Sequence, residues 1–254
     1  MSVMRFLLLV MVALSLLACA SSEQRERNSR ELAETNLRLA VGYLKQGRLD
    51  ASLEKLLKAL EAKPDYAPVH GTLALIYQRQ GELDKAEEHF RRALSLEPMD
   101  GATHNNYAVL LCQMRKFDEA EKEFLIALKS RGYKTPASAF ENLGVCAMQE
   151  PNLKKAEKYF RRALQIDSRL PVSLLSMAQI SLEAQRYLSG RAYLQRYLEV
   201  GPQTPRSLWL GIQIEKRLGD EQAVRNYADQ LSRHFPDSNE MGLLIEMERA
   251  ETTQ

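Results

Sequence analysis

The strongest constraint on this chain is a repeat. Ala86-Glu-Glu-His-Phe90, Ala120-Glu-Lys-Glu-Phe124 and Ala156-Glu-Lys-Tyr-Phe160 share the pattern A-x-x-x-F, and Ala93, Ala127 and Ala163 follow each Phe by three residues. Weaker copies begin at Ser52, Gly190 and Ala223, so successive first positions lie 34, 34, 36, 34 and 33 residues apart. A period of this size in a helix-forming sequence means stacked helix hairpins. One hairpin cannot bury its apolar face, whereas six in a row bury a continuous core.

The period and the fixed residues match the tetratricopeptide (TPR) motif, W-x₂-L-G-x₂-Y…A-x₃-F…P. Leu39-Ala40…Tyr43 and Leu73-Ala74…Tyr77 supply its first half, and Leu143-Gly144 and Leu210-Gly211 its L-G step. Pro64, Pro98 and Pro202 stand at the closing proline. The expected fold is all-α, a right-handed TPR α-solenoid of about six repeats, with a capping helix at the C-terminal end. The register places the repeats at 33–66, 67–100, 101–134, 137–170, 171–203 and 204–236. Two inserted residues fall within Arg131 to Pro136, and residues 237–254 hold the capping helix and tail. Small residues allow close helix contact, and each Phe fills the gap to the next hairpin. Asp84 with Glu87, and Asp118 with Glu121, read as capping boxes at the start of second helices. Gly47 and Gly81 supply the turns, where positive φ is easy.

The N-terminus carries a different signal. Arg5 precedes Phe6 to Leu17, a run of twelve residues in which only Ser15 is polar. A membrane-spanning helix needs about 20 apolar residues, so the run reads as the core of a signal peptide, residues 1–18. It ends in Leu16-Leu17-Ala18-Cys19, which resembles a bacterial lipobox. In that pattern the peptide is cut before Cys19, and Cys19 carries the lipid. The alternative is a plain secretory signal. Each buried CH₂ of an acyl chain contributes about 0.8 kcal/mol, so two or three chains make a durable anchor. In lipoproteins with this arrangement an Asp after the Cys favours inner-membrane retention, so the resemblance makes Ala20 compatible with export to the outer membrane of a two-membrane cell. Residues 19–32 follow as a lipidated Cys and flexible tether, because Ser21 to Arg30 has no aromatic or β-branched residue.

The search for chemistry returns little. Lys and Arg number 35 against 33 Asp and Glu, so the chain has no global reason to seek nucleic acid. No H-E-x-x-H, G-x-S-x-G or P-loop string occurs. Three Cys are too few for a disulfide scaffold; Cys112 and Cys146 read as buried thiols, with a disulfide as the alternative that an exported compartment would permit. His70 and His104, one repeat apart, read as packing residues and not as zinc ligands. Trp209 reads as core packing, with a ligand-stacking role as the alternative. No catalytic residue, metal, cofactor or small-molecule substrate is expected. What remains is the inner face lined by first helices. Leu37, Val41, Leu44 and Lys45 come from the first repeat, and Leu75, Gln78 and Arg79 from the second. The third supplies Asn105, Val109 and Gln113, and the fourth Glu141, Val145, Met148 and Gln149. Exposed apolar residues there would form a groove for an amphipathic helix or extended segment, and Asn105 could bond a partner backbone. The alternative is that the terminal repeats fold these residues onto themselves. Leu37 and Val41 stand where carboxylate-clamping TPR modules place Lys and Asn, so a C-terminal carboxylate ligand is rejected.

The whole combination resembles the PilF/PilW lipoproteins of type IV pilus biogenesis, the pilotins of the pilus secretin. Asn105-Asn-Tyr-Ala-Val-Leu-Leu-Cys112, Phe140-Glu-Asn-Leu-Gly-Val145 and Arg206-Ser-Leu-Trp-Leu-Gly-Ile212 carry the likeness beyond generic TPR positions. The resemblance implies a non-enzymatic protein on the periplasmic face of the outer membrane. Its partner would be the outer-membrane secretin, which it would help to reach that membrane and multimerise. The competing reading is a TPR lipoprotein adaptor for outer-membrane protein insertion or for cell-wall enzymes. An envelope hydrolase is the third, and it lacks a nucleophile–base or metal signature.

Overall fold

The computed structural model describes the backbone of residues 2–252 and the side chains of residues 23–250. The expected cleavage and lipidation rest on residues 1–18 and on the Cys19 side chain, which lie outside the described side chains. Thirteen helices and no strand occur among the described residues. None of those helices is long and apolar enough to cross a membrane. The chain separates into two compact units, Met1–Met114 and Arg115–Gln254.

The first unit holds α1 (Ser2–Lys45), α2 (Leu49–Ala62), α3 (Ala67–Gln80), α4 (Leu83–Leu96) and α5 (Gly101–Gln113). α1 pairs with α2 and α3 with α4, while α5 packs on α4 and lies beside α3. Ala33 and Ala40 of α1 meet Leu56 and Ala59 of α2 and Leu73 and Ile76 of α3 in one buried cluster. Ser52 takes the place of the motif Ala and is fully buried. Its hydroxyl donates to the Ala40 carbonyl at 2.7 Å, so the polar atom is satisfied. Gly47 and Gly81 turn the two hairpins at φ of 74° and 80°. His70 Nε2 bonds the Pro64 carbonyl at 2.9 Å and His104 Nε2 the Pro98 carbonyl at 3.0 Å. Each His thus ties its helix to the closing proline of the preceding repeat.

The second unit holds α6 (Phe117–Lys129), α7 (Pro136–Gln149), α8 (Leu153–Ile166), α9 (Pro171–Glu183), α10 (Tyr187–Leu198), α11 (Pro205–Leu218), α12 (Glu221–His234) and α13 (Asn239–Thr252). α7 pairs with α8, α9 with α10 and α11 with α12, and α13 packs on α11 and α12. Phe124 and Phe160 are fully buried with their flanking motif alanines. Arg191 Nε donates to Glu215 Oε1 at 2.9 Å, and Arg191 Nη2 bonds Oε2 of the same buried carboxylate. α13 covers the segment read as a capping helix and buries Leu244 beside Leu208, Ile212 and Leu231.

Three expectations differ from the structure. The stretch read as a flexible tether is helical, because α1 runs unbroken to Lys45. Its packed half supplies a nucleus from which helix propagates cheaply. Pairs four residues apart support the exposed half, Gln24 to Asn28 at 2.9 Å and Arg30 to Glu34 at 2.9 Å. The two D-x-x-E strings do not cap: neither α4 nor α6 has a side-chain cap, and Asp84 and Asp118 sit in the first turn. Their glutamates turn outward instead. Glu87 accepts from the Tyr107 hydroxyl at 3.1 Å and from Arg91 at 2.7 Å, and Glu121 accepts from Tyr159 and Lys155. Caps form elsewhere, at Asp100, Asn152, Asp220 and a Thr204–Ser207 capping box. Finally, Cys112 and Cys146 are both disulfide-bonded, not free thiols.

Candidate functional site

The inner face of the first unit is built from α1, α3 and α5. Val41, Leu75 and Val109 recur at intervals of 34 residues, one per first helix. All three keep exposed apolar surface; Val109 is 36 % exposed and the other two are half-buried. Gln78 Nε2 donates to Gln113 Oε1 at 3.1 Å, so α3 and α5 present adjoining amides at the end of this row. Asn105 bonds the neighbouring Asn106 at 3.3 Å and is half-buried. Arg79 and Lys45 reach solvent. Two residues expected on the face face inward. Leu44 is only 9 % exposed and belongs to the core cluster, and Leu37 packs partly against that cluster. The last turn of α1 leans on α2, so Leu44 has almost no surface left to offer a partner.

In the second unit, Val145 and Met148 of α7 are half-buried against Ala147 and Phe160. Glu141 accepts from Ser173 N at 2.9 Å and from Ser173 Oγ at 2.7 Å, which ties α7 to α9. The larger feature of this unit is a cleft of about 910 Å³ bounded by α9, α11 and α13. Leu182, Tyr187, Trp209, Leu243 and Met247 give it an apolar lining, and Gln179, Gln213, Glu183, Lys216, Arg217 and Glu246 give polar groups of both signs. Leu243 is 45 % exposed. The reading of Trp209 as core is corrected in part: its ring packs on the α11–α13 core and also lines the cleft. Trp209 stands at the sixth position of its repeat, one residue past the fifth-position register of Leu37 and Asn105, so counting inner-face positions does not reach it.

The shifted groups Tyr107 and Glu121 are tied into contacts between helices. Burial pushes the Tyr107 hydroxyl up to about 12, opposed by its hydrogen bond from Arg91. Burial raises the Glu121 carboxyl, but hydrogen bonds from Lys155 and Tyr159 carry it below the usual carboxylate range. Among the described residues no group of three or more His, Cys, Asp or Glu is placed to hold a metal ion. The surfaces on offer are apolar rows with amide and charged rims, which suit side chains and backbone of another polypeptide.

Helix hairpins of this period and packing define a tetratricopeptide-repeat protein, and residues 31–96 and 108–171 match tetratricopeptide-repeat family models. The chain is 30 % identical over 241 residues to the type IV pilus assembly protein PilF of Pseudomonas aeruginosa, covering 93 % of this chain and 96 % of that one. It belongs to the PilF/PilW family of TPR proteins. A solved structure of Pseudomonas aeruginosa PilF superposes with a TM-score of 0.80 at 30 % identity, over 87 % of this chain and 99 % of that one. The crystal structure of PilW, described as a widely conserved type IV pilus biogenesis factor, gives 0.77 at 29 % identity over 84 % and 98 %.

Proposed function

We propose that this chain is a type IV pilus biogenesis factor that assists the outer-membrane secretin. It is anchored by a lipid on Cys19 to the periplasmic face of the outer membrane, and it takes a secretin segment on the inner face of its first repeats. Family membership supports the process. One observation carries the mode of action: Val41, Leu75 and Val109 form an apolar row on adjoining helices, ending at the Gln78–Gln113 amides. An amphipathic segment would cover the row with apolar side chains and meet Arg79, Asn105 and Gln113 with its polar edge. The anchor confines both partners to one surface and raises their effective concentration. The protein needs no reactive group for this work.

Two experiments test the two halves. Cys19→Ala followed by membrane fractionation should release the protein and lower the yield of secretin multimers; a normal yield removes the anchor from the account. Val41→Asp with Leu75→Asp places charge on half-exposed positions. The folded double mutant, checked by circular dichroism, should lose capture of purified secretin. Unchanged capture removes this face and points to the cleft at Trp209 or to a different client.

A further inference from the structure

The second unit carries a recess of about 760 Å³ on its outer side, between α6 and α8 and over the start of α7. Its floor is aromatic. Phe140 and Tyr159 stack with ring centroids 6.4 Å apart at 28°, and Leu125 beside them is 38 % exposed. Its rim is basic. Arg162 lies over the Phe140 ring at 6.0 Å and Lys158 over the Tyr159 ring at 5.5 Å, with Lys154 exposed on the same face of α8. Two carboxylates also line it, and both are already committed. Glu121 holds Lys155 at 2.7 Å and the Tyr159 hydroxyl; Glu157 holds Arg161 at 2.7 Å and Arg186 at 2.8 Å. The charge left facing the recess is therefore positive.

We propose that this recess is a second docking site, for an acidic peptide segment bearing an aromatic or aliphatic anchor. The anchor side chain enters between Leu125 and Phe140, and flanking carboxylates meet Lys154, Lys158 and Arg162. Arg162 is suited to a bidentate carboxylate contact, and its stacking on Phe140 holds the guanidinium in place. Concavity selects the occupant. A planar anionic bilayer could touch the rim cations but would leave the aromatic floor unfilled, whereas a peptide side chain fills it. None of these residues lies on the inner face, so the site stands or falls apart from the function proposed above.

The test is fluorescence anisotropy of the full chain with a labelled peptide of four Glu residues flanking a Leu-Phe pair. Binding should saturate and weaken with added salt. It should fall about tenfold in the Lys154→Glu/Arg162→Glu variant, whose altered side chains are exposed and leave the thermal melt unchanged. Equal binding by that variant overturns the proposal. So does equal binding of the same peptide with Lys in place of Glu. Retention of the protein on phosphatidylglycerol vesicles or on an oligonucleotide, with no binding of the acidic peptide, also overturns it and assigns the cations to that surface instead.

Discussion

Gly144 of α7 lies so close to Phe160 of α8 that a Cβ built on it would stand 2.6 Å from two ring carbons. The glycine of the L-G step is thus a seat for the ring that defines the repeat. Gly144→Ala should destabilise the protein by about 1–3 kcal/mol through overpacking. Gly42 has nothing within 4 Å of such a Cβ, so Gly42→Ala should instead stabilise by about 0.5–1 kcal/mol. Urea denaturation of the two variants beside the parent checks both signs.

The Arg191–Glu215 pair should be worth much more broken than replaced. Glu215 is buried, and Arg191→Met would leave its carboxylate without a cation, at about 3–5 kcal/mol. Arg191→Met combined with Glu215→Leu should recover most of that loss. A double-mutant cycle by thermal or urea unfolding decides it; equal losses in the single and double variants would contradict the pairing.

Acid should weaken the first unit through His89. Its Nδ1 meets His70 Nδ1 at 2.9 Å. The Pro64 carbonyl can only accept, so neutral His70 donates from Nε2 and receives the His89 Nδ1–H on its other nitrogen. Burial lowers the His89 pKa most, and repulsion from the His70 ring once that ring is protonated lowers it further, with Glu88 opposing. The unfolded chain therefore binds the proton more readily, and stability falls as pH drops below about 6.5. A single group limits the slope to about 1.4 kcal/mol per pH unit. Unfolding of the parent and of His89→Gln between neutral pH and mild acid should show a shallower slope in the variant.

Gln185 sits in the hairpin turn between α9 and α10 at φ 58°, in the conformation that Gly47 and Gly81 adopt in the first two hairpins. A side chain there costs about 1–2 kcal/mol, so Gln185→Gly should stabilise the fold by about 1 kcal/mol. A Tm unchanged or lowered would mean that Gln185 makes up the cost by contacts in the neighbouring cleft.

Trp209 is the sole tryptophan of the chain and lines that cleft. Occupancy of the cleft by an apolar segment should shift its emission to the blue, while ligands held only at Val41, Leu75 and Val109 should leave it unmoved. A fluorescence titration reads this directly.

Much of the architecture was legible because the repeat fixes it. Ala86, Phe90 and Ala93 recur at a period that dictates hairpins, and Gly47 and Gly81 mark their turns. Counting register also placed Val41, Leu75 and Val109 one per first helix, at positions that keep apolar surface. It failed where neighbours override position. Leu44 obeys the inner-face count, yet the end of α1 presses it into the core. Glu87 and Glu121 fit a capping string, but Tyr107, Tyr159 and Lys155 offer them stronger partners than a helix N-terminus does. The polar composition of residues 21–30 suggested a coil, and a one-residue view of composition misses the packed helix into which they run. Trp209 was placed in the core by residue type, and its register, one residue past that of Leu37 and Asn105, gave no sign of the cleft that it also lines.

The continuity of α1 bears on how the body is held. From Glu23 to Ala33 the helix rises about 15 Å. A random coil of that length wanders and lets its cargo tumble; a rod fixes both stand-off and heading. Whatever holds the N-terminal end of such a rod also decides which way the repeats point.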